Sequence, residues 1–140
     1  MKILVIGLGS MGKRRVRNLL ELKIDTILGY DQRKDRRDES KELYKINIFD
    51  NLKLALEENP DGVIISTSPN SHKEYALIAA ERKIPFFTEV NTMHPKDMQE
   101  IIDSLEKNQV KATPSSNVMF HPSVIKIQEI LIAKKIGKPC

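Results

Sequence analysis

The sequence has 140 residues and a net charge of +4, and 40% of its residues are hydrophobic and 30% charged. This length fits one globular domain, and the composition excludes a disordered or membrane-embedded chain. Because aromatic residues make up only 5% and tryptophan is absent, the core must consist mainly of Ile, Leu and Val. Such a core suits strands that are buried on both faces of a sheet.

Hydrophobic periodicity predicts strands that alternate with helices along the chain. The first aliphatic run, residues 2–6, is typical of a buried parallel strand, and apolar residues at helical spacing follow over 10–22. The remaining strands are predicted at 25–30, 46–49, 63–67, 84–89 and 110–114. The remaining helices are predicted at 33–44, 52–58, 71–83, 96–107 and 122–135. Asn51 is expected to cap the third helix, and Ser71 with Glu74 forms a capping box for the fourth.

This alternation predicts an α/β fold of the Rossmann type, a doubly wound parallel sheet of six strands with helices on both faces. No repeat or interior linker interrupts the pattern, so we expect residues 1–140 to form one dinucleotide-binding domain. Gly137-Lys138-Pro139 is typical of a domain boundary, and we expect a C-terminal substrate domain, absent from this chain, to follow it. The last helix carries an aliphatic cluster that we interpret as a core or domain-interface face: Ile125, Ile127, Ile130, Leu131 and Ile132.

The basic residues form two clusters. The first contains Lys13, Arg14, Arg15 and Arg17, and the second contains Arg33, Lys34, Arg36 and Arg37. Acidic residues interleave with the second cluster, and no aromatic stacking platform accompanies it. We therefore interpret the clusters as solvated helix and loop surfaces, with a contribution to holding an anionic dinucleotide as the alternative, and we expect no nucleic-acid partner.

Residue types that would indicate other chemistry are sparse. Cys140 is the only cysteine, which excludes an internal disulfide, and no apolar run is long enough for a signal peptide or a membrane span. We therefore expect a cytoplasmic protein with no membrane partner. The three histidines lie far apart in the sequence and no G-x-S-x-G motif occurs, so neither a metal site nor serine hydrolysis is expected.

A glycine-rich motif follows the first predicted strand and opens the first helix. Its residues are Gly7-Leu8-Gly9-Ser10-Met11-Gly12, which match G-x-G-x-x-G. In this context Gly7 permits a tight turn, Gly9 lets a pyrophosphate approach the backbone, and Gly12 lets the helix pack on the strand. We expect this helix N-terminus, with Ser10 and Met11, to bind the pyrophosphate. A plain strand-to-helix turn is the alternative.

An acidic residue at the end of the second predicted strand supplies an independent indication. Asp31 lies about twenty residues after Gly12, where the Rossmann fold places the acid that binds the adenosine ribose. A carboxylate there repels a 2′-phosphate, so the predicted cofactor is NAD. Gln32 and Arg33 are included in the predicted site. NADP is the less favoured alternative. It stays open because Arg33 or Arg36 can pair with a 2′-phosphate.

The segment from Asp61 to His72 is more distinctive. Its sequence, Asp61-Gly62-Val63-Ile64-Ile65-Ser66-Thr67-Ser68-Pro69-Asn70-Ser71-His72, resembles the D-x-V-x-I-x-T-P-N-x-x-H segment of the Gfo/Idh/MocA oxidoreductases, the glucose–fructose oxidoreductase and inositol dehydrogenase family. The resemblance covers nearly the whole chain, since it also includes the glycine motif, residues 85–89, residues 120–122 and residues 136–139. It implies an enzyme that transfers hydride between a nicotinamide cofactor and a sugar, nucleotide sugar or cyclitol. We also expect the full-length protein to be a homo-oligomer.

The same resemblance assigns residues to the nicotinamide half of the cofactor. It implies that Thr67, Pro69, Asn70 and His72 lie along this half. It also implies that Glu89 hydrogen-bonds the nicotinamide ribose. For His72 the alternative is a position in the first turn of a helix without a binding role.

The chain departs from the family pattern at two positions. Where family members carry Glu-Lys-Pro, this chain has Glu89-Val90-Asn91, and Val90 can donate neither a proton nor a hydrogen bond. Met119 stands where the family commonly has a basic residue before Phe. The catalytic residue is therefore unknown. The candidates are Asn117, His121 or a group beyond residue 140. Asn117 is also assigned to the cofactor site. The alternative function is that of a non-catalytic dinucleotide-binding or regulatory protein.

Overall fold

Six parallel strands form one sheet in the computed structural model, which describes residues 1–89 and 94–135. The strands are β1 (Lys2–Ile6), β2 (Thr26–Tyr30), β3 (Asn47–Phe49), β4 (Gly62–Ile65), β5 (Phe86–Thr88) and β6 (Ala112–Pro114). Their order across the sheet is β3-β2-β1-β4-β5-β6, and each neighbouring pair is parallel. The order reverses between β1 and β4, which is the switch point where ligands bind in sheets of this kind.

Helices connect and flank these strands. They are α1 (Ser10–Glu21), α2 (Lys34–Tyr44), α3 (Leu52–Glu57), α4 (His72–Glu81), α5 (Pro95–Asn108) and α6 (Pro122–Ile132), and 3₁₀ turns span Pro69–Ser71 and Asn117–Phe120. The predicted fold class and order of elements are confirmed. β4 ends two residues earlier than predicted, which leaves Ser66 and Thr67 in a loop at the carboxyl edge of the sheet.

Side chains of β1 alternate between two hydrophobic clusters. Leu4 and Ile6 belong to the cluster that contains residues of α3, α4 and α5, whereas Val5 belongs to the cluster that contains residues of α1. All three side chains are at most 1% exposed. The sheet is therefore covered on both faces, as its uninterrupted aliphatic strands predict.

The two predicted helix caps have different outcomes. Asn51 is the N-cap of α3, and its side chain accepts hydrogen bonds from the backbone N–H groups of Lys53 and Leu54. The predicted capping box at Ser71 is wrong, because this side chain makes no capping hydrogen bond. Pro69 starts a 3₁₀ turn directly before α4, so the chain enters α4 without the extended backbone that an N-cap requires.

The aliphatic cluster of α6 is largely exposed. Ile125, Ile127 and Ile132 are 44%, 51% and 82% exposed, respectively. For these three residues a role in the core of this chain is therefore wrong, and an interface role stays a prediction. Within the described ranges, no helix has both the length and the apolar character needed to cross a membrane. Val90, Asn91, Gly137-Lys138-Pro139 and Cys140 lie outside the described residues.

Candidate dinucleotide-binding site

Two glycines of the G-x-G-x-x-G motif are required by the backbone itself. Gly7 follows β1 with a φ of +91°, in the left-handed region, and a Cβ added to it would lie 2.7 Å from the carbonyl oxygen of Ser66. A Cβ added to Gly12 would lie only 1.8 Å from the carbonyl oxygen of Gly7. The turn at Gly7 and the first turn of α1 are thus in direct contact, which confirms the structural roles predicted for both glycines.

Gly9 has a different environment, because its missing side chain leaves space open. It is the N-cap of α1, and the nearest atom to an added Cβ is Arg36 Nη1 at 3.4 Å, the end of a flexible side chain. Packing within the chain therefore does not require a glycine here. The first-turn N–H groups of an α-helix have no intrahelical acceptor, and Gly9 has no side chain that could cap them. Those of α1 are therefore available to an anion.

Asp31 directly follows β2 and contacts the glycine motif. Its Oδ2 accepts a hydrogen bond from the backbone N–H of Leu8 at 2.7 Å, and its Oδ1 accepts one from the N–H of Arg33 at 2.8 Å. Arg36 Nη1 lies 3.5 Å from Oδ2. The carboxylate is only 6% exposed, and its burial carries a desolvation cost. The two backbone donors and the guanidinium of Arg36 offset this cost. Asp31 therefore faces the glycine motif, which agrees with its predicted position next to the cofactor loop.

A cavity of about 240 Å³ lies beside Asp31. The predicted site residues that line it are Gly7, Asp31, Gln32, Arg33 and Thr67. Five further lining residues were not included among the predicted site residues: Tyr30, Arg36, Ser68, Ser71 and Tyr75. The cavity therefore extends from the end of β2 to the start of α4.

A second cavity, of about 410 Å³, lies over the start of α1. The predicted site residues that line it are Gly9, Ser10, Met11, Thr67, Pro69 and Glu89. Arg36, Thr67 and Ser68 line both cavities, so the two are adjacent parts of one groove. This groove, which we call the carboxyl-edge groove, runs from Asp31 past the glycine motif to Glu89.

Tyr75 forms part of the groove wall, although no motif in the sequence predicts it as a site residue. Its ring packs edge-on against that of Tyr30, with 6.5 Å between centroids, and its hydroxyl lies 3.4 Å from Gln32 Nε2. Burial raises the pKa of the Tyr75 hydroxyl to about 12. The wall at this point therefore presents a neutral hydroxyl.

The predicted loop residues occupy three kinds of position. Pro69 lines the groove, whereas Asn70 is exposed and is not among the residues that line either cavity. His72 is completely buried, and its Nε2 lies 2.9 Å from the carbonyl oxygen of Thr67. His72 thus supports the Thr67 loop from inside the protein. Direct binding roles for Asn70 and His72 stay predictions.

Glu89 follows β5 and pairs with Arg15 of α1. Arg15 Nε and Nη2 lie 2.7 Å and 2.6 Å from the same carboxylate oxygen, Oε1. The interpretation of Arg15 as a solvated surface residue is wrong, because its side chain is only 15% exposed. In the second basic cluster the interpretation as a surface is supported, since Arg33 pairs with Asp35 and Lys34 pairs with Asp38 at exposed positions.

The candidate catalytic residues at the end of the chain lie around the second 3₁₀ turn. Asn117 contributes its backbone to this turn, and Met119 is exposed within it. His121 is the N-cap of α6, and its side chain accepts a hydrogen bond from the N–H of Ser123. His94 has the equivalent capping role in α5. Catalytic roles for Asn117 and His121 stay predictions, and residues 1–89 and 94–135 contain no cluster of three or more metal-binding side chains.

The residues of the carboxyl-edge groove fit a dinucleotide. The open space at Gly9 and the first-turn N–H groups suit a pyrophosphate, and Asp31 can accept hydrogen bonds from ribose hydroxyls. Ser66 Oγ, buried at the groove, has no hydrogen-bond partner within the described residues. It thus remains a polar group that a ligand could satisfy.

Comparison with known proteins agrees with this geometry. The model of an oxidoreductase family with an NAD-binding Rossmann fold, Gfo/Idh/MocA, matches residues 1–116. The chain belongs to this family. The resemblance carried by the glycine motif and the 61–72 segment is thereby confirmed, and the structure's Rossmann sheet agrees with it.

Individual relatives cover almost all of this chain. Myo-inositol 2-dehydrogenase of Thermotoga maritima is 31% identical to it, over 99% of this chain and 43% of that enzyme. The crystal structure of a probable dehydrogenase from Thermotoga maritima is 29% identical, with a TM-score of 0.87 over 99% of this chain and 43% of that one.

The WlbA dehydrogenase of Bordetella pertussis, solved with NADH and UDP-GlcNAcA, is only 12% identical, with a TM-score of 0.88 over 96% of this chain and 41% of that one. At this identity the similarity is one of fold alone. The chain spans less than half the length of these three relatives.

Proposed function

We propose that this chain binds NAD in preference to NADP, as the cofactor domain of an oxidoreductase that transfers hydride to or from a hydroxyl-bearing carbon of a sugar, nucleotide sugar or cyclitol. The observation that carries the proposal is the contact between the Asp31 carboxylate and the Leu8 N–H, 2.7 Å long. It joins the acid that would bind the ribose to the loop that would bind the pyrophosphate. A cytoplasmic location and a homo-oligomeric state stay predictions.

The adenosine half of the cofactor would occupy the cavity beside Asp31. Asp31 would accept hydrogen bonds from the ribose hydroxyls, while its negative charge would repel a 2′-phosphate. Arg33 and Arg36 would instead attract a 2′-phosphate, but the guanidinium of Arg33 forms an ion pair with the Asp35 carboxylate at 2.6 Å. Arg36 Nη1 lies 3.5 Å from Asp31 Oδ2, so both arginines already have carboxylate partners and we expect the balance to favour NAD.

The nicotinamide half would occupy the cavity over the start of α1. When bound, this group accepts or donates the hydride, and the chain's residues position it. Glu89 lines the cavity and would accept a hydrogen bond from the second ribose, while Thr67 and Pro69 would line its other side. The binding site residues are thus proposed to be Gly7, Gly9, Ser10, Met11, Gly12, Asp31, Gln32, Arg33, Thr67, Pro69, Asn70, His72, Glu89 and Asn117.

Hydride transfer at a hydroxyl-bearing carbon also requires a group that takes up or releases the hydroxyl proton. Val90 cannot do so, and His121 and Asn117 are the candidates within this chain. We propose that a second domain supplies most substrate contacts, since the relatives extend well beyond the matched region. The family membership and the dehydrogenase relatives give no support to the non-catalytic alternative.

Isothermal titration of this chain with NAD+ and NADP+ tests the proposed cofactor. We expect NAD+ to bind at least about tenfold more tightly than NADP+, a difference of ~1.4 kcal/mol. Asp31→Ser is the matched variant, and it should reduce the preference by weakening NAD+ binding more than NADP+ binding. Equal affinities in the unmodified chain, or tighter binding of NADP+, would contradict the proposal.

A further inference from the structure

A partly buried ion pair lies at the Glu89 end of the carboxyl-edge groove. Arg15 of α1 donates from both Nε and Nη2 to Oε1 of Glu89, at 2.7 Å and 2.6 Å. The two side chains are 15% and 13% exposed, respectively. Removal of either partner alone would leave a poorly solvated charge, so the pair must act as a unit.

The guanidinium of Arg15 is also held by two other elements. Its Nη2 donates to Ser115 Oγ at 3.3 Å, and its Cζ lies 4.8 Å from the centroid of the Phe87 ring. Ser115 is itself fixed, since its N–H donates to the carbonyl oxygen of Thr88 at 2.7 Å. Contacts with β5 and with the loop after β6 thus restrict Arg15 to one orientation.

This arrangement leaves Glu89 asymmetric. Both donors of Arg15 converge on Oε1, and no donor from the described residues contacts Oε2. Glu89 lines the same cavity as Gly9, Ser10 and Met11, so this carboxylate borders the path of a bound pyrophosphate. A carboxylate only accepts hydrogen bonds, so a ligand must present a donor to it. In a dinucleotide the nearest donors beyond the pyrophosphate are the hydroxyls of the second sugar.

Arg15 also changes the charge of the groove wall. An unpaired carboxylate at Glu89 would repel the phosphates of a ligand that passes along the start of α1. The guanidinium cancels this charge and keeps the hydrogen-bond acceptor. The wall then tolerates an anionic ligand and still recognises a hydroxyl.

We infer that Arg15 is a positioning residue of the cofactor site, which fixes Glu89 so that its second carboxylate oxygen accepts a hydrogen bond from the sugar on the nicotinamide side. This inference rests on the proposed function. It adds to that function a residue of α1, in the first basic cluster, that does not itself contact the ligand.

A double-mutant cycle measured by titration calorimetry tests the inference. NAD+ and ADP are titrated into the unmodified chain and into Arg15→Met, Glu89→Gln and the double variant, since ADP lacks the second sugar. We expect Arg15→Met to weaken NAD+ binding about tenfold and to change ADP binding less than about twofold. In the Glu89→Gln background, Arg15→Met should cause no further loss, and Arg15→Lys should recover part of the affinity.

Arg14→Met is the matched control, because Arg14 is an exposed neighbour on α1 with the same charge. It should leave the affinity for both ligands unchanged. The inference is overturned if Arg15→Met binds NAD+ like the unmodified chain, if it weakens ADP equally, or if its effect persists in the Glu89→Gln background. Arg15→Lys and Glu89→Gln keep the test decisive if Arg15→Met does not fold. An unmodified chain that binds neither NAD+ nor ADP would instead refute the proposed function.

Discussion

The carboxylate of Asp31 accepts the backbone N–H of Leu8 at 2.7 Å, and this contact links the end of β2 to the loop that follows β1. A second backbone donor, the N–H of Arg33, lies 2.8 Å from the other oxygen. Asp31 thus has a structural role in addition to its proposed role in binding ribose. The two roles can be separated, because only one of them depends on a ligand.

Asp31→Asn should destabilise the fold. The amide keeps the shape of the side chain but loses the charge, and it presents an NH2 group to one of the two N–H donors. Hydrogen bonds to a buried charged group contribute about 1.5–3 kcal/mol, so we expect a loss of roughly this size in the free energy of unfolding. Urea denaturation measures it.

Asp35→Asn is the control for this change, since Asp35 pairs with Arg33 at the exposed surface. Its unfolding midpoint should match that of the unmodified chain. Equal stability of the Asp31→Asn variant would show that the Leu8 contact does not hold the loop.

Gly9→Ala and Gly12→Ala should have opposite consequences. At Gly12 the added methyl group overlaps the Gly7 carbonyl oxygen, at 1.8 Å, so the backbone must move. Changes of this kind cost about 1–3 kcal/mol or more in the free energy of unfolding. At Gly9 the methyl group meets only Arg36 Nη1, at 3.4 Å, so we expect a well-folded variant whose affinity for NAD+ falls at least about tenfold.

Thermal unfolding and NAD+ titration of both variants check this pair. The two substitutions add the same methyl group to the same motif, so each is the control for the other. A Gly9→Ala variant that binds NAD+ as tightly as the unmodified chain would mean that the pyrophosphate does not pass over Gly9.

The parts of the site that the sequence predicted are those with short, fixed spacing along the chain. The glycine motif lies within six residues, and Asp31 follows at a distance that one helix and one strand determine. Arg15 and Glu89 are 74 residues apart, and their contact depends on how α1 packs beside β5. No local pattern carries that information, and a run of basic residues on a helix is usually solvated.

The positions of Ser71 and Tyr75 in the groove could not be predicted for a different reason. The sequence places both within the predicted helix 71–83, but the turn that begins at Pro69 changes how α4 is entered. As a result Ser71 lines the groove and does not cap the helix, and Tyr75 lies against Tyr30. The direction in which a helix starts depends on such turns, and it is not visible in hydrophobic periodicity.

Tyr75 should ionise late and make the fold sensitive to alkali. Burial raises the pKa of its hydroxyl from the ordinary value of 10.0 to about 12. As the pH rises from 10 to 12, the unfolded chain therefore releases this proton before the folded chain does, and the free energy of unfolding falls. Ultraviolet titration of the phenolate should show one step near pH 12 that is absent from Tyr75→Phe.

The unfolding midpoints of the two proteins in urea, at pH 9 and pH 11, complete this test. Tyr75→Phe should lose less stability between the two pH values than the unmodified chain does. The same loss in both proteins would contradict a buried, protonated hydroxyl at this position.

Ile127 of α6 and Ile65 of β4 should respond very differently to substitution. Ile65 is completely buried, so Ile65→Ala removes apolar contacts and should cost about 2–5 kcal/mol. Ile127 is 51% exposed, so Ile127→Lys should change the free energy of unfolding by less than about 0.5 kcal/mol. Urea denaturation distinguishes the two. If Ile127→Lys also cost several kcal/mol, α6 would be part of the core of this chain and its aliphatic face would not be available as an interface.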